Sequence, residues 1–296
     1  METNSKNSEV VHRRRPEWLK VRFQVNENFQ QLRELVNDLN LHTVCQEARC
    51  PNQSECWGRG TATLMILGDV CTRSCGFCAV KTGRPPIYDL KEPVRVARAV
   101  QHMNLKHVVI TSVNRDELPD QGSTVWANTI LAIRKACPHT SIEVLIPDFK
   151  GQKEPLERVI RAQPDILAHN LETVPRLYRR VRPQAKYARS LWVLEEAKRR
   201  GMTTKTGIMV GIGERFEEVL ALMKDIAAIG VDIFTVGQYL QPTKRHLPVE
   251  RFVHPDEFAE YKRFGESIGI RHVESGPLVR SSYHAEEQVD RMACSG

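Results

Sequence analysis

Short apolar runs alternate with amphipathic segments along most of the chain. Runs rich in β-branched and aliphatic residues predict strands at 62–67, 107–112, 141–146, 165–169, 203–210 and 231–236, with a weaker run at 271–274. Apolar residues at helical spacing predict helices at 29–41, 93–102, 123–136, 154–162, 187–200, 214–229 and 256–267. The clearest helix is 214–229, where Phe216, Val219 and Met223 share one face and Gly230 follows as a stop.

This alternation predicts an α/β fold with a parallel sheet and right-handed crossovers, either a barrel or a doubly wound sheet. Polar clusters follow nearly every predicted strand, for example Asn114-Arg115-Asp116 and His169-Asn170. In a barrel these strand ends meet at one mouth, where active sites lie. The polar clusters therefore favour the barrel. With about six βα units it would be partial, a (βα)6 TIM-type barrel with an open side.

Composition and charge exclude only a few classes of protein and partner. The 296 residues are 41% hydrophobic, and 43 Lys and Arg against 36 Asp and Glu give a net charge of +7. A mild positive charge permits nucleic acid, an anionic small molecule or an acidic protein as partner. There is no long Lys/Arg run, no basic patch with interleaved aromatics and no apolar stretch of ~18 residues. We therefore expect a cytoplasmic enzyme with no nucleic-acid or membrane partner, since no secretion signal precedes it.

The cysteines are the most specific feature. Six of the eight lie between Cys45 and Cys78, and without a secretion signal clustered thiols indicate metal rather than disulfides. Cys71, Cys75 and Cys78 form a C-x3-C-x2-C motif just after the first barrel strand. Three thiolates on a tight loop can bind three irons of a 4Fe–4S cluster and leave the fourth iron open. A structural zinc site would usually require four protein ligands.

A second triplet precedes the first. Cys45, Cys50 and Cys56 form a C-x4-C-x5-C motif, a spacing unusual for zinc, whose ligands come in closer pairs. A second cluster with a missing fourth ligand is the natural interpretation, and buried structural cysteines are the alternative. Cys137 and Cys294 have no partner at metal spacing, and we expect neither to bind metal.

The first triplet, with the aromatic Phe77 directly before Cys78, resembles the signature of the radical S-adenosylmethionine (SAM) superfamily. There the open iron binds the amino and carboxylate groups of SAM, and the reduced cluster cleaves SAM to a 5′-deoxyadenosyl radical. Further motifs are similar to those of the lipoyl synthase family, over roughly residues 16–285. They are Cys50-Pro51-Asn52, Glu55-Cys56-Trp57, Gly68-Asp69-Val70-Cys71-Thr72-Arg73, Thr111-Ser112-Val113-Asn114-Arg115-Asp116, His169-Asn170-Leu171-Glu172, Val181-Arg182-Pro183, Gly207-Ile208-Met209-Val210-Gly211, Gly237-Gln238-Tyr239-Leu240-Gln241-Pro242 and Arg280-Ser281-Ser282-Tyr283-His284. Biotin synthase shares the first triplet but not the second.

The resemblance implies a radical SAM barrel at 61–270, an N-terminal extension at 1–60 carrying the second triplet, and a C-terminal extension at 271–296. It implies a sulfurtransferase that inserts sulfur at C6 and C8 of an octanoyl group on a lysine of a lipoyl carrier domain. Two SAM molecules are cleaved for each product, and each radical removes one hydrogen. The auxiliary cluster on the second triplet is consumed as the sulfur donor.

The resemblance also assigns site residues and partners. The catalytic set is Cys71, Cys75, Cys78 and Ser282, with Ser282 as fourth auxiliary-cluster ligand by best alignment and Ser281 as the fallback. The expected SAM contacts are Asn170, Glu172, Arg182, Gly207, Met209 and Gly211. Glu172 would bind the ribose hydroxyls or the amine, and Arg182 the carboxylate. His169 is expected to be a core or hydrogen-bonding residue.

The expected partners are octanoylated lipoyl carrier domains, namely 2-oxoacid dehydrogenase E2 subunits and the glycine cleavage H protein. An electron donor such as ferredoxin or flavodoxin and an iron–sulfur carrier for rebuilding the cluster are also implied. Three alternatives remain: another sulfur-inserting radical SAM enzyme, a zinc-stabilised nucleic-acid-binding protein, and a two-cluster electron carrier. The sequence leaves open the preferred carrier, the reductant, the oligomeric state and the role of residues 1–15.

Overall fold

Parallel strands with helices between them dominate the computed structural model, which describes residues 14–20, 27–47, 50–58, 63–85, 88–282 and 285. The strands are β1 (His42–Thr43), β2 (Thr63–Ile66), β3 (Val70–Cys71), β4 (Lys81–Thr82), β5 (His107–Ser112), β6 (Ser141–Leu145), β7 (Ile166–Ala168), β8 (Thr203–Val210), β9 (Ile233–Gln238) and β10 (His272–Gly276). The helices are α1 (Glu27–Asp38), α2 (Val44–Glu47), α3 (Gln53–Gly58), α4 (Glu92–Met103), α5 (Ser123–Ala136), α6 (Lys153–Arg161), α7 (Tyr178–Val181), α8 (Tyr187–Arg199), α9 (Phe216–Ala228) and α10 (Pro255–Ser267). Tyr283, His284 and Cys294 lie outside the described residues.

The main sheet runs in the order β1-β2-β5-β6-β7-β8-β9-β10. All neighbours from β2 to β10 are parallel, and β1 is antiparallel to β2. Across the described ranges, β1 and β10 are the two edges of this sheet, which is therefore an open barrel. The predicted partial barrel is confirmed, and the weak run at 271–274 is a full parallel strand, β10.

One predicted strand is displaced along the chain. The run at 231–236 becomes β9 at Ile233–Gln238, because the amide of Val231 still bonds the carbonyl of Ile226 in the preceding helix end. At its other end, Gly237 and Gln238 continue the ladder opposite Met209 and Val210. Strand propensity does not predict this extension, since a glycine weakens a strand in isolation.

Side chains on the strands alternate between the outer core and the barrel interior. Outward residues such as Ile110 and Val144 are fully buried against the helices, where each contributes about 1.5–3 kcal/mol by leaving water. Deep inside the barrel the contacts are ionic. Lys205 Nζ lies 2.9 Å from Glu143 Oε1, and both side chains are almost completely buried. His107 Nε2 lies 3.6 Å from the same carboxylate.

The two chain extensions meet near the start of β2. The side-chain Nδ2 of Asn52 donates to the carbonyl of Leu278 over 2.7 Å. The hydroxyl of Thr63 donates to Ser282 Oγ over 2.8 Å, between residues 219 apart in the sequence. Folding therefore brings the second cysteine triplet and the C-terminal serines to one side of the barrel.

Candidate active site

One cavity of about 540 Å³ opens at the carboxyl ends of the strands, where barrel enzymes bind their ligands. It is lined by most of the predicted site residues: Cys45, Cys50, Cys71, Cys75, Cys78, Asn170, Glu172, Arg182, Gly207, Met209, Ser281 and Ser282. Cys56 and Gly211 are not among the lining residues. The two thiol sets thus share one chamber with the predicted SAM contacts.

The loop from Cys71 to Cys78 is fixed at both ends. β3 and β4 pair in parallel through Val70–Lys81 and Cys71–Thr82, so the loop leaves and rejoins the same short ladder. Midway, the amide of Gly76 donates to the carbonyl of Val181 over 2.9 Å. A Cβ at Gly76 would lie only 2.9 Å from the Leu247 side chain, which would have to move to admit it.

A segment after β9, residues 240–250, covers this loop. The amide of Leu247 donates to the carbonyl of Gly76 over 3.0 Å. His246 Nε2 donates to the carbonyl of Cys78 over 2.9 Å, because a carbonyl can only accept. His246 Nδ1 then accepts from the Thr243 hydroxyl, 2.8 Å away. Sequence reasoning missed His246, whose contact with the loop is made across 168 residues of chain.

Partial burial disfavours the thiolate forms of Cys75 and Cys78. Burial raises the pKa of Cys75 to about 11 and the pKa of Cys78 to about 12, although Arg182 opposes the shift at Cys75. A buried thiolate is unfavourable unless a cation compensates its charge, and bound iron provides that compensation. Cys75 and Cys78 are therefore neutral thiols without metal and would ligate iron as thiolates.

Arg182 and Asn170 line the cavity, and each carries a buried polar atom without a partner. Arg182 Nη1 donates to the carbonyl of Asn170 over 2.7 Å, and its guanidinium lies over the Tyr178 ring at 5.5 Å. Arg182 Nε and Asn170 Oδ1 are buried without a hydrogen-bond partner. Such atoms are costly unless a ligand pairs with them. A zwitterionic ligand such as SAM, with amine and carboxylate, matches this donor and acceptor set.

Glu172 adopts a left-handed backbone conformation, with φ of 66°, which is uncommon outside glycine and often marks functional sites. Its amide and carbonyl bridge to β8 through Gly207 and Met209, both at 2.9 Å. Burial raises the pKa of the Glu172 carboxyl, and Arg182 opposes that rise. The carboxyl is thus held at the cavity wall by its own backbone.

Glycine is required at positions 207 and 211 for two different structural reasons. A Cβ on Gly207 would lie 2.3 Å from Thr235 Oγ1 inside the barrel, so glycine keeps the cavity open. Gly211 has φ of 89°, and a Cβ there would lie 2.1 Å from Gln238 Nε2. Gly211 therefore serves the turn after β8, where its amide donates to Glu214 Oε1 over 2.6 Å.

Two thiols of the second triplet, those of Cys45 and Cys50, lie at the other end of the cavity. Cys45 lies on α2, and the amide of Cys50 donates to its carbonyl over 3.0 Å. Burial raises the pKa of both thiols, with Arg280 opposing the rise at Cys50. Cys56, on α3, packs against the hydrophobic core. Of the predicted donors, Cys45, Cys50, Ser281 and Ser282 thus face the cavity, and Cys56 lies outside its lining.

Gly237 brings the C-terminal extension to this end. A Cβ on Gly237 would lie 2.1 Å from the carbonyl oxygen of Val279, so the backbone of 277–282 crosses β9 at a distance only glycine allows. Throughout the ranges the structure describes, no three His, Cys, Asp or Glu side chains are placed to bind a single metal ion.

Comparison with known proteins identifies the family. The profile of the radical SAM superfamily matches residues 65–226, and that of the N-terminal domain of lipoyl synthase of the radical SAM family matches residues 1–50. The lipoyl synthase of Rubrobacter xylanophilus is 59% identical over 93% of this chain and 87% of its own length. The chain belongs to the lipoyl synthase family. The mitochondrial lipoyl synthase of Nematostella vectensis is 52% identical over 98% of the chain and 100% of its own length.

Solved structures agree on the fold. Streptococcus suis SuiB bound to its precursor peptide SuiA superposes with a TM-score of 0.58 over 88% of this chain and 55% of SuiB, at 11% identity. Lipoyl synthases are radical SAM enzymes that use SAM and 4Fe–4S clusters, and the buried thiols and unpaired polar atoms fit both groups. None of the described helices combines the length and apolarity needed to cross a bilayer.

Proposed function

We propose that this lipoyl synthase inserts two sulfur atoms, at C6 and C8, into an octanoyl group carried on a lysine of a lipoyl carrier domain. The observation that carries the proposal is the single cavity, lined by Cys71, Cys75 and Cys78 at one end and by Cys45, Cys50 and Ser282 at the other. Two consecutive reactions on one alkyl chain need both groups in reach of the same carbon atoms.

When bound, the first cluster with SAM supplies hydrogen abstraction and the auxiliary cluster supplies sulfur. The chain's part is to hold and orient these groups. The thiolates of Cys71, Cys75 and Cys78 bind the first cluster. Arg182 would pair with the carboxylate of SAM, and Glu172 with its amine or its ribose hydroxyls. Gly207 and Met209 form the wall beside it.

An alkyl radical offers no charge for the protein to bind, so the octanoyl chain must be held by shape and by exclusion of water. Apolar side chains line the cavity between its two ends, namely Met65, Val80, Val113, Leu145 and Ile146. Burying apolar surface stabilises such a chain by about 25 cal/mol for each Å² removed from water. The same lining keeps water away from the reacting carbon atoms.

For the auxiliary cluster we propose Cys45, Cys50 and Cys56 as thiolate ligands and Ser282 as the fourth, with Ser281 as the fallback. A serine oxygen is a harder donor than a thiolate and a weaker match for iron in a sulfide cluster. A weaker bond would let one iron leave once a sulfide has bonded to carbon. A Ser282→Cys variant that completed both insertions at the normal rate would contradict this role of serine.

The remaining proposals concern organisation and partners. We divide the chain into an N-terminal extension at 1–60, a barrel at 61–270 and a C-terminal extension at 271–296. The carriers are the E2 subunits of 2-oxoacid dehydrogenases and the glycine cleavage H protein. A ferredoxin or flavodoxin supplies electrons and an iron–sulfur carrier rebuilds the auxiliary cluster. We propose the cytoplasm as the location of the enzyme.

The first experiment is to measure iron, acid-labile sulfide and zinc on anaerobically prepared protein, followed by mass analysis of an octanoylated carrier. We expect about eight irons and eight sulfides per chain and two added sulfur atoms. In a variant with Cys45, Cys50 and Cys56 all changed to Ala, about four irons should remain, with SAM cleavage but no sulfur insertion.

The complementary variant, with Cys71, Cys75 and Cys78 changed to Ala, should also retain about four irons but cleave no SAM. Cys137→Ala is the matched control and should keep all the iron. Zinc in place of iron, or sulfur insertion without the second triplet, would overturn the proposal.

A further inference from the structure

Arg73 lies between Cys71 and Cys75, yet its side chain is turned inward and is only 3% exposed. Its Nε donates to Asp116 Oδ2 over 2.7 Å and its Nη2 to Asp116 Oδ1 over 2.9 Å. The same Nη2 donates to Asp148 Oδ1 over 2.6 Å. One guanidinium therefore ties the cysteine loop to the segments that follow β5 and β6.

The network is charge-balanced and well satisfied. Asp148 is fully buried, and its other oxygen accepts from Arg189 Nη1 over 3.1 Å. Although burial raises the pKa of Asp148, the hydrogen bonds and charge of Arg73 lower it to about 2. Two arginines thus face two carboxylates. A buried arrangement of this kind holds one geometry, because losing any member leaves a charge unpaired.

Backbone contacts extend this link to the sulfur atom of Cys71. The amide of Thr72 donates to the carbonyl of Asn114 over 3.1 Å, and the amide of Asp116 donates to Thr72 Oγ1 over 3.1 Å. The loop and the turn after β5 are thereby joined side by side. Cys71 Sγ accepts from the amide of Arg73 at 3.4 Å and from the amide of Asn114 at 3.3 Å.

We propose that Arg73 is a positioning residue that aims these two amides at Cys71 and so raises the reduction potential of the cluster on Cys71, Cys75 and Cys78. Adding one electron makes the cluster more negative, and N–H donors to a ligating sulfur stabilise the more negative state. The inference rests on the proposed assignment of the first triplet to the SAM-cleaving cluster.

The test is a redox titration monitored by electron paramagnetic resonance. It uses full-length chain in which Cys45, Cys50 and Cys56 are changed to Ala, so that one cluster remains. We compare this background with Arg73→Gln, Arg73→Lys and Asp116→Asn. All three should shift the midpoint potential to more negative values, with the smallest shift for Asp116→Asn, which leaves the Asp148 contact intact. Asp116 is 24% exposed, so that variant should fold if the Arg73 variants do not.

Lys205→Gln is the matched control. It breaks an equally buried ion pair, with Glu143, in a part of the barrel that does not line the cavity. It should lower the melting temperature and leave the potential unchanged. If the Arg73 and Asp116 variants also lose stability without a shift in potential, the network is only structural and the inference is wrong.

The Lys variant separates geometry from charge. A normal potential in Arg73→Lys beside a lowered one in Arg73→Gln would mean that positive charge alone matters, which would overturn the positioning role. If the parent background contains no iron–sulfur cluster, the proposed function itself fails. That result is distinguishable from a cluster whose potential does not move.

Discussion

The two ends of the cavity are held in place by very different means. At the Cys71–Cys78 end, the loop is anchored by the β3–β4 ladder, by the buried bonds of Arg73 and by the segment 240–250 above it. At the other end, two short helices carry Cys45 and Cys56 and Cys50 lies between them. The bonds Asn52–Leu278 and Thr63–Ser282 join this end to the C-terminal extension. One end is built into the barrel, whereas the other is assembled from the two ends of the chain.

This difference matches the proposed division of labour. A cluster that cleaves SAM in every cycle must return unchanged, and a rigid, multiply bonded loop suits that requirement. A cluster that gives up sulfur must be opened and rebuilt. Segments held by few contacts open locally at low free-energy cost. The comparison therefore predicts that substitutions at the two ends fail in different ways.

The largest expected effect is at Ser282. Ser282→Ala removes the proposed fourth ligand and the acceptor of the Thr63 hydrogen bond. Sulfur insertion should fall by roughly 10- to 100-fold or more, the range seen when support of a metal site is lost. SAM cleavage should persist, because the other end is untouched. Mass analysis of the carrier and assay of 5′-deoxyadenosine measure the two activities on the same sample.

Ser281→Ala is the matched control, since Ser281 lines the same cavity. It should insert sulfur at close to the normal rate. The reverse pattern, with the loss in Ser281→Ala, would transfer the ligand role to Ser281.

The second effect tests the buried, barrel-built end through His169. Its Nδ1 donates to the carbonyl of Ile146 over 2.8 Å and its Nε2 accepts from Ser190 over 2.9 Å, so it is a buried hydrogen-bonding residue. Burial lowers the pKa of His169 from 6.5 to about 4, and Arg182 acts in the same direction. Between these pH values the unfolded chain takes up a proton that the folded protein does not.

The stability that neutral His169 provides is therefore complete above pH 6.5 and is lost as the pH falls to about 4. The loss should be about 3 kcal/mol of unfolding free energy. His169→Gln should remove that part of the pH dependence in denaturant titrations. His102→Gln, at an exposed helix position, should leave it intact. If stability depends on pH equally in wild type and His169→Gln, then His169 is more accessible to water than the structure indicates.

A third, smaller effect is expected from Gly237→Ala. The new Cβ would meet the carbonyl of Val279 at 2.1 Å and should displace the C-terminal extension at a cost of about 1–3 kcal/mol. Auxiliary iron should be lost preferentially. The same substitution at the other end, Gly83→Ala, brings a Cβ no closer than 3.4 Å to Val70 and should retain both clusters. Equal iron loss in the two variants would remove the distinction between the ends.

The smallest effect is expected from Asn52→Ala. It deletes the hydrogen bond to Leu278 and should lower stability by about 1 kcal/mol. Iron release into a chelator should be faster for the auxiliary cluster only, as measured by the loss of iron with time. We expect iron to be released in two phases, of which only the first, from the auxiliary cluster, is faster in the variant. Equal acceleration of both phases would argue against separate anchoring of the two clusters.

Much of the barrel could be read from the sequence, because helical and strand periods are local properties. The helix predicted at 123–136 is α5, residue for residue, and the predicted strand at 107–112 is β5. Short elements such as β3, β4 and α2 were not predicted, because two to four residues carry no periodic signal. Their positions depend on the loop that they hold.

The sequence by itself determined the strand–helix alternation, the two cysteine triplets and the family, because each depends on residues close together in the chain or on motif identity. Only the tertiary structure decided that Cys45, Cys50 and Ser282 face the same cavity as Cys71. It also decided that Arg73 pairs with Asp116 and Asp148, and that His246 supports Cys78. These contacts join segments separated by tens to hundreds of residues. Such contacts form only when the burial of the core places the segments side by side, so no local pattern specifies them.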